Sequence, residues 1–175
     1  MVYLAAAVGV LSLVCFANTL LTLGVVRRLR EQRHPAEADG GGLARPGMVV
    51  GTFAVETVAG DRVDRDMLTS GTVVAFFAPG CTPCHQRLPH FVREMARMPG
   101  GRDDVLAVVV GGRDEAEAMV DSLSPVAHVV VEPAIGPVAN AFDTTGFPAI
   151  YLIEPDGHIG TAGHDVPLLP QRAAR

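Results

Sequence analysis

Residues 72–89 read TVVAFFAPGCTPCHQRLP, an apolar run that stops at a turn and passes into a CxxC pair. Residues 72–77 are a short apolar run rich in β-branched and aromatic side chains, the pattern of a buried strand. Ala78, Pro79 and Gly80 stop it. Cys81, Thr82, Pro83 and Cys84 follow at once. Leu88, Phe91, Val92 and Met95 then recur at i, i+3, i+4 and i+7, which gives one apolar helix face. The order is therefore strand, tight turn, CxxC, helix. Cys81 falls at the first helical turn, where unpaired N–H groups and the helix dipole favour negative charge on a sulfur. That placement is the recipe for a reactive cysteine. Cys84 lies on the same side of the helix, close enough to close a disulfide with Cys81.

Working downstream, Pro99, Gly100 and Gly101 end this helix near Met98. Residues 104–110 (DVLAVVV) read as a second buried strand. Asp114 and Glu117 resemble a capping box, and Ala116, Met119, Val120 and Leu123 supply a helix face. Residues 127–132 form another strand, and Ile135, Val138, Ala139 and Phe142 mark a further short helix. Residues 149–153 are a strand, followed by a Glu154-Pro155-Asp156-Gly157 turn into His158 and Ile159. Working upstream, residues 53–58 are a candidate strand, Ala59-Gly60-Asp61 a turn and residues 62–68 a short polar connection. Strands alternating with helices imply an α/β domain, its central sheet covered on both faces.

The N-terminal end is of a different kind. Residues 2–26 carry no charged side chain, enough to cross the hydrocarbon core as one transmembrane helix. A cleaved signal peptide needs a basic n-region, and Met1 to Leu4 has none. Cys15 follows Val14 rather than a small residue, so it reads as an apolar cysteine of that helix and not as a lipid-attachment site. Arg27, Arg28, Arg30 and Arg33 crowd the helix exit, and a Pro/Gly/Ala-rich linker extends to Gly47. The expected organisation is an anchor over residues 1–26, a flexible linker over 27–47 and an α/β domain over 48–175.

Composition excludes several classes of function. The formal charge is −5, every one of the 14 basic residues is Arg, and no basic stripe points to nucleic acid. Three cysteines, one of them in the anchor, are too few for a disulfide scaffold. CTPCH, with His85 next to Cys84, matches the c-type haem attachment pattern, but a buried strand directly before it argues for redox chemistry instead. Zinc wants about four ligands, and the soluble part offers only two cysteines and no HxxH pair, so no metal is expected. His85 reads as a helix-surface residue that adds positive potential near Cys84. Pro148, in TGFPAI at residues 145–150, stands at the mouth of an apolar strand. It is a cis proline after Phe147, an edge-strand proline or a simple turn.

Taken together, APGCTPC after a strand, Pro89 in the following helix and GFPAIYLIEPDGHI downstream resemble the thioredoxin superfamily. More narrowly, residues 48–159 are similar to membrane-anchored TlpA/ResA-type thiol–disulfide oxidoreductases and the methylamine-dehydrogenase accessory protein branch. The resemblance implies a thioredoxin-like sheet, Cys81 as nucleophile, Cys84 as resolving thiol, and a cis Pro148 that faces the disulfide and docks substrate with Phe147. It implies that Pro89 kinks the active-site helix. Thr82, Pro83, His85 and Arg87 stand where side chains tune the thiols. Three features depart from the pattern. Gly80 replaces a frequent Trp, Arg87 replaces a frequent acid, and the residues after Ile159 leave little for a terminal helix.

The expected activity is thiol–disulfide exchange on a partner protein's dithiol or disulfide, with the Cys81–Cys84 disulfide in place of any cofactor. Two alternatives stay within reach of the same residues. One is a peroxiredoxin-like antioxidant peroxidase, which wants a Thr three residues before the peroxidatic cysteine, a place that Cys81 itself takes before Cys84, so that neither cysteine fits. The other is a non-enzymatic module holding Cu(I) between the two thiolates, with His85 or a partner as third ligand. Localisation is expected at a membrane. Arginines placed only after the helix favour a cytoplasmic domain, whereas the family resemblance favours an extracytoplasmic one.

Overall fold

The computed structural model describes residues 42–166. The expected transmembrane helix at residues 1–26, the linker up to residue 41 and residues 167–175 lie outside the described residues. Among the described residues no helix is long and apolar enough to cross a membrane.

Among the described residues, seven strands and three α-helices follow in chain order. Strands β1 (Ala54–Glu56) and β2 (Arg62–Asp64) pair antiparallel as a separate hairpin. The segment expected as a polar connection therefore begins as a strand, because Val63 turns inward and is buried between Arg62 and Asp64. Strand β3 (Val73–Phe77) leads into helix α1 (Thr82–Met95), β4 (Val105–Val110) into α2 (Arg113–Leu123), and β5 (His128–Glu132) into the short α3 (Pro137–Ala141). Strands β6 (Ala149–Ile153) and β7 (Ile159–Gly163) close the domain. The main sheet has five strands in the order β5-β4-β3-β6-β7. The β3–β4 and β4–β5 pairs are parallel, while β3–β6 and β6–β7 are antiparallel.

Strand alternation divides the core in two. Val73, Ala75 and Phe77 face α1 and α2, together with Val105, Ala107 and Val109 of β4. Val74 and Phe76 face the other way, with Leu106, Val108, Val110, Tyr151 and α3. Both faces are covered, so β3 and β4 are buried at every position and read as continuous apolar runs.

Four local readings change. Gly42 to Gly47, expected as linker, belong to the fold: Ala44 is buried, and Gly47 N–H donates to the Ile159 carbonyl at 2.7 Å. Helix α1 ends at Met95 rather than near Met98. Helix α2 starts one residue before Asp114, with Gly112 as N-cap and no side-chain cap, so Asp114 and Glu117 form no capping box. β7 was not legible as a strand, since its IGTAG sequence has two glycines and little β-propensity; pairing with β6 holds it in place.

Candidate active site

The site lies where β3 gives way to α1. The turn is tight: Cys81 N–H donates to the Ala78 carbonyl at 3.1 Å. Pro79 packs onto Gly111 just past β4, where an added Cβ would stand 2.9 Å from Pro79 Cδ, so only glycine leaves room. His85 Nε2–H donates to the Pro79 carbonyl at 2.6 Å and ties the helix back to this turn. His85 is thus brought to the loop backbone. Thr82 and Pro83 occupy the exposed first turn of α1, with the proline where a helix has no use for an N–H.

Cys81 is the N-cap of α1. Its sulfur accepts the Cys84 backbone N–H at 3.3 Å, doing the work usually given to a Ser or Asp oxygen. The Cys81 thiol in turn donates to the Phe147 carbonyl at 3.5 Å. Cys81 is partly exposed and Cys84 is fully buried, and both are thiols. Cys84 packs in the apolar cluster with Phe77, Leu88 and Phe91. Burial first, and the bond to Cys81 second, push the Cys84 thiol up from an ordinary 9.0 to about 12. Buried carboxylates do not help it. The only one among the described residues, Glu132, caps α3 on the opposite face of the sheet.

The second stretch comes to the same place. The Phe147–Pro148 peptide bond is cis, which resolves the readings open for Pro148. Pro148 precedes β6, so it costs the ladder nothing. Phe147 is half-buried and touches both core clusters at the end of the sheet. Pro148 is buried, and its carbonyl accepts from His164 Nδ1 at 2.6 Å. Pro89 lies inside α1, which runs through it; its missing N–H leaves the His85 carbonyl without a helical partner.

Arg87 sits one turn beyond Cys84. Its Nη1 donates to Asp165 Oδ2 at 2.6 Å, and His90 Nδ1 is 3.7 Å from the other carboxylate oxygen. The guanidinium is therefore engaged with the chain that leaves β7, and Val166 beside it is buried against the Cys84 cluster. His164 and Asp165 were not legible as site residues. They lie in a stretch without periodicity or motif, and only the antiparallel return of β7 brings them back to Pro148 and α1. Among the described residues no group of three or more His, Cys, Asp or Glu could hold a metal ion. Around Gly80 an added Cβ would meet nothing within 4 Å, so the approach to Cys81 is open on that side.

No protein-family model matches this chain, and no curated protein is similar enough to count as a relative. Solved structures do match. The thioredoxin domain of a thiol-disulfide oxidoreductase from Bacteroides vulgatus superposes with a TM-score of 0.58 at 17% identity, over 71% of this chain and 92% of that one. A thio-disulfide isomerase from Thermus thermophilus gives 0.56 at 20% identity, over 70% and 87% of the two chains. A Chlorobium tepidum protein assigned as a thiol:disulfide interchange protein DsbE gives 0.51 at 25% identity, over 70% and 86%. This chain has the thioredoxin fold, with its CxxC pair at the N-terminus of α1.

Proposed function

We propose that the protein is a membrane-anchored thiol–disulfide oxidoreductase of the TlpA/ResA type, acting on disulfides of partner proteins. The observation that carries this reading is the asymmetry of the two sulfurs. Cys81 is partly exposed at the helix N-cap, beside the carbonyl before a cis proline, while Cys84 is buried behind it. The structural neighbours described as a thiol-disulfide oxidoreductase and as a thiol:disulfide interchange protein support the same class of chemistry.

In the reducing direction, the Cys81 thiolate attacks one sulfur of a partner disulfide. A Cys81–partner S–S bond forms, and the other partner sulfur leaves as a thiolate and takes up a proton. Cys84 then gives up its proton and attacks Cys81. The Cys81–Cys84 disulfide forms, and the second partner sulfur leaves as a thiol. Two electrons pass from the dithiol to the partner. Phe147 and Pro148 form the docking edge for the partner chain. Thr82, Pro83, His85 and Arg87 shape the turn and flank on which the thiols sit. The anchor at residues 2–26 holds the domain at a membrane; the arginines that follow it favour the cytoplasmic side, against the extracytoplasmic side that the TlpA/ResA resemblance favours.

The test is trapping. Full-length Cys84→Ser protein, reduced and mixed with insulin, is expected to stall as a mixed disulfide through Cys81, while the unsubstituted chain turns insulin over. Failure of the unsubstituted chain to reduce insulin, with both thiols intact, would remove the reading. An alkaline phosphatase fusion at Gly40 that is active would move the domain to the other side of the membrane.

A further inference from the structure

The segment just ahead of the hairpin makes contacts that neither the strands nor the thiols require. The Gly42 carbonyl accepts two backbone N–H groups at once, from Thr145 at 2.9 Å and Gly146 at 3.1 Å. Those residues directly precede Phe147 and Pro148. Ala44 N–H donates to the Tyr151 hydroxyl at 3.0 Å, and that hydroxyl also bonds the Thr144 hydroxyl at 2.7 Å. Both partners of this bond are buried, and Leu43 packs against the core between the two anchoring points. Residues 42–44 therefore hold residues 144–146 from one side, and the next residue along, Phe147, presents its carbonyl to Cys81.

Gly42 has a φ of +72°, and a Cβ there would stand 2.5 Å from the Gly146 nitrogen and 2.7 Å from Thr145 Oγ1. The first of these is backbone, so it yields only if the loop moves. Gly47, in the same segment, has a φ of +87° and nothing within 4 Å of an added Cβ. The two glycines share the backbone strain of a left-handed conformation, but only one of them presses on the loop.

We propose that residues 42–44 are a positioning strap for the partner-docking loop, with Gly42 as the residue that sets the placement of residues 145–148 and so the fit of a polypeptide disulfide beside Cys81. The inference rests on the oxidoreductase reading above and assigns a specificity element to it. A small disulfide needs only the Cys81 sulfur, whereas a polypeptide also needs the loop backbone. Displacing the loop therefore penalises the polypeptide alone.

The experiment compares the full-length chain with Gly42→Ala and Gly47→Ala, each reduced and in mild detergent. The substrates are insulin and the small disulfide 5,5′-dithiobis(2-nitrobenzoate). Gly42→Ala is expected to lower kcat/KM for insulin by about 10- to 100-fold through KM, the scale of loss for an ångström-sized misplacement. Its reaction with the small disulfide stays unchanged, and Gly47→Ala leaves both substrates unchanged. Tyr151→Phe removes only the hydroxyl shared by Ala44 and Thr144. It is expected to give the same selective loss by a smaller factor, and it carries the test if Gly42→Ala does not fold. Equal kcat/KM for insulin in the Gly42 and Gly47 variants, or an equal loss on both substrates, would overturn the strap. So would an unchanged insulin KM in Tyr151→Phe where Gly42→Ala does not fold. An unsubstituted chain that reacts with the small disulfide but not with insulin would overturn the oxidoreductase reading itself.

Discussion

The two faces of the sheet are buried in opposite ways. The face under α1 and α2 is lined by apolar side chains, and among the described residues Cys84 is the one thiol fully buried in it, with Cys81 packed against its edge. The face under α3 encloses a polar set: Glu132 on the α3 amides, and Tyr151 bonded to Thr144 and Ala44. Aromatic rings surround that set, with Phe142 at 5.4 Å from Phe76 and 5.3 Å from Tyr151. The lesson is a division of labour. A dry face keeps the Cys84 thiol protonated, because a thiolate there would lose its water and gain no buried partner. The polar face fixes backbone, since each buried hydrogen bond there commits a loop or a helix end to one position. The buried thiol belongs to one face and the bonds that fix the loop and α3 to the other.

The largest expected effect separates the faces by truncating a ring on each. Phe142→Ala and Phe91→Ala should each cost about 3–5 kcal/mol in denaturant unfolding, by lost transfer energy plus a cavity. Only Phe91→Ala, which opens the Cys84 cluster, should also lower the Cys84 pKa. A like shift in both variants would erase the distinction between the faces.

Next is the pH dependence of the dry face. Burial raises the Cys84 pKa above its unfolded value, so the folded state binds the proton more tightly. The stability this contributes is fully present below about pH 9 and is lost as pH rises from there towards about 12. The gap in stability between the reduced protein and its Cys84→Ala variant should therefore narrow across that window. A constant gap would mean that Cys84 is not held in a dry site.

On the polar face, Glu132→Ala should cost about 1–3 kcal/mol, because the Val138 and Ala139 amides lose their acceptors at 2.9 and 2.8 Å. Burial raises the Glu132 pKa from 4.5, against the pull of those two amides. The folded state again binds the proton more tightly, so its contribution is present below pH 4.5 and is lost as pH rises through the folded value. Glu132→Gln should flatten that part of the stability profile. The smallest effect belongs to neither face. The Arg87–Asp165 pair is about two-fifths exposed on both sides, so Arg87→Ala should change stability by about 0–1 kcal/mol in thermal unfolding.

The dry face was legible because a period is visible there. Residues 72–77 and 104–110 are apolar runs, Leu88, Phe91 and Met95 mark one helix face, and CxxC stands at its start. The other face was legible only in part. Phe142 and Val138 showed as an apolar repeat, but Glu132 read as a strand end, and nothing in the sequence aligns it with amides that come after two prolines and a glycine. Gly42 read as linker, because a run of glycines looks the same whether it is solvated or clamped. Its partners, Thr145 and Gly146, lie about a hundred residues away in sequence. Asp165 and His164 share that fate. Their partners are fixed by the return of β7, a strand held by pairing and not by propensity.

The proposed exchange requires one sulfur to meet the partner while the other stays in the dry face. Pulse alkylation of the reduced full-length chain with iodoacetamide at neutral pH, mapped by peptide mass spectrometry, reads this directly. Cys81 should be modified in the folded protein, with Cys84 protected until denaturant is added. Modification of Cys84 as fast as Cys81 in the folded chain would contradict the account.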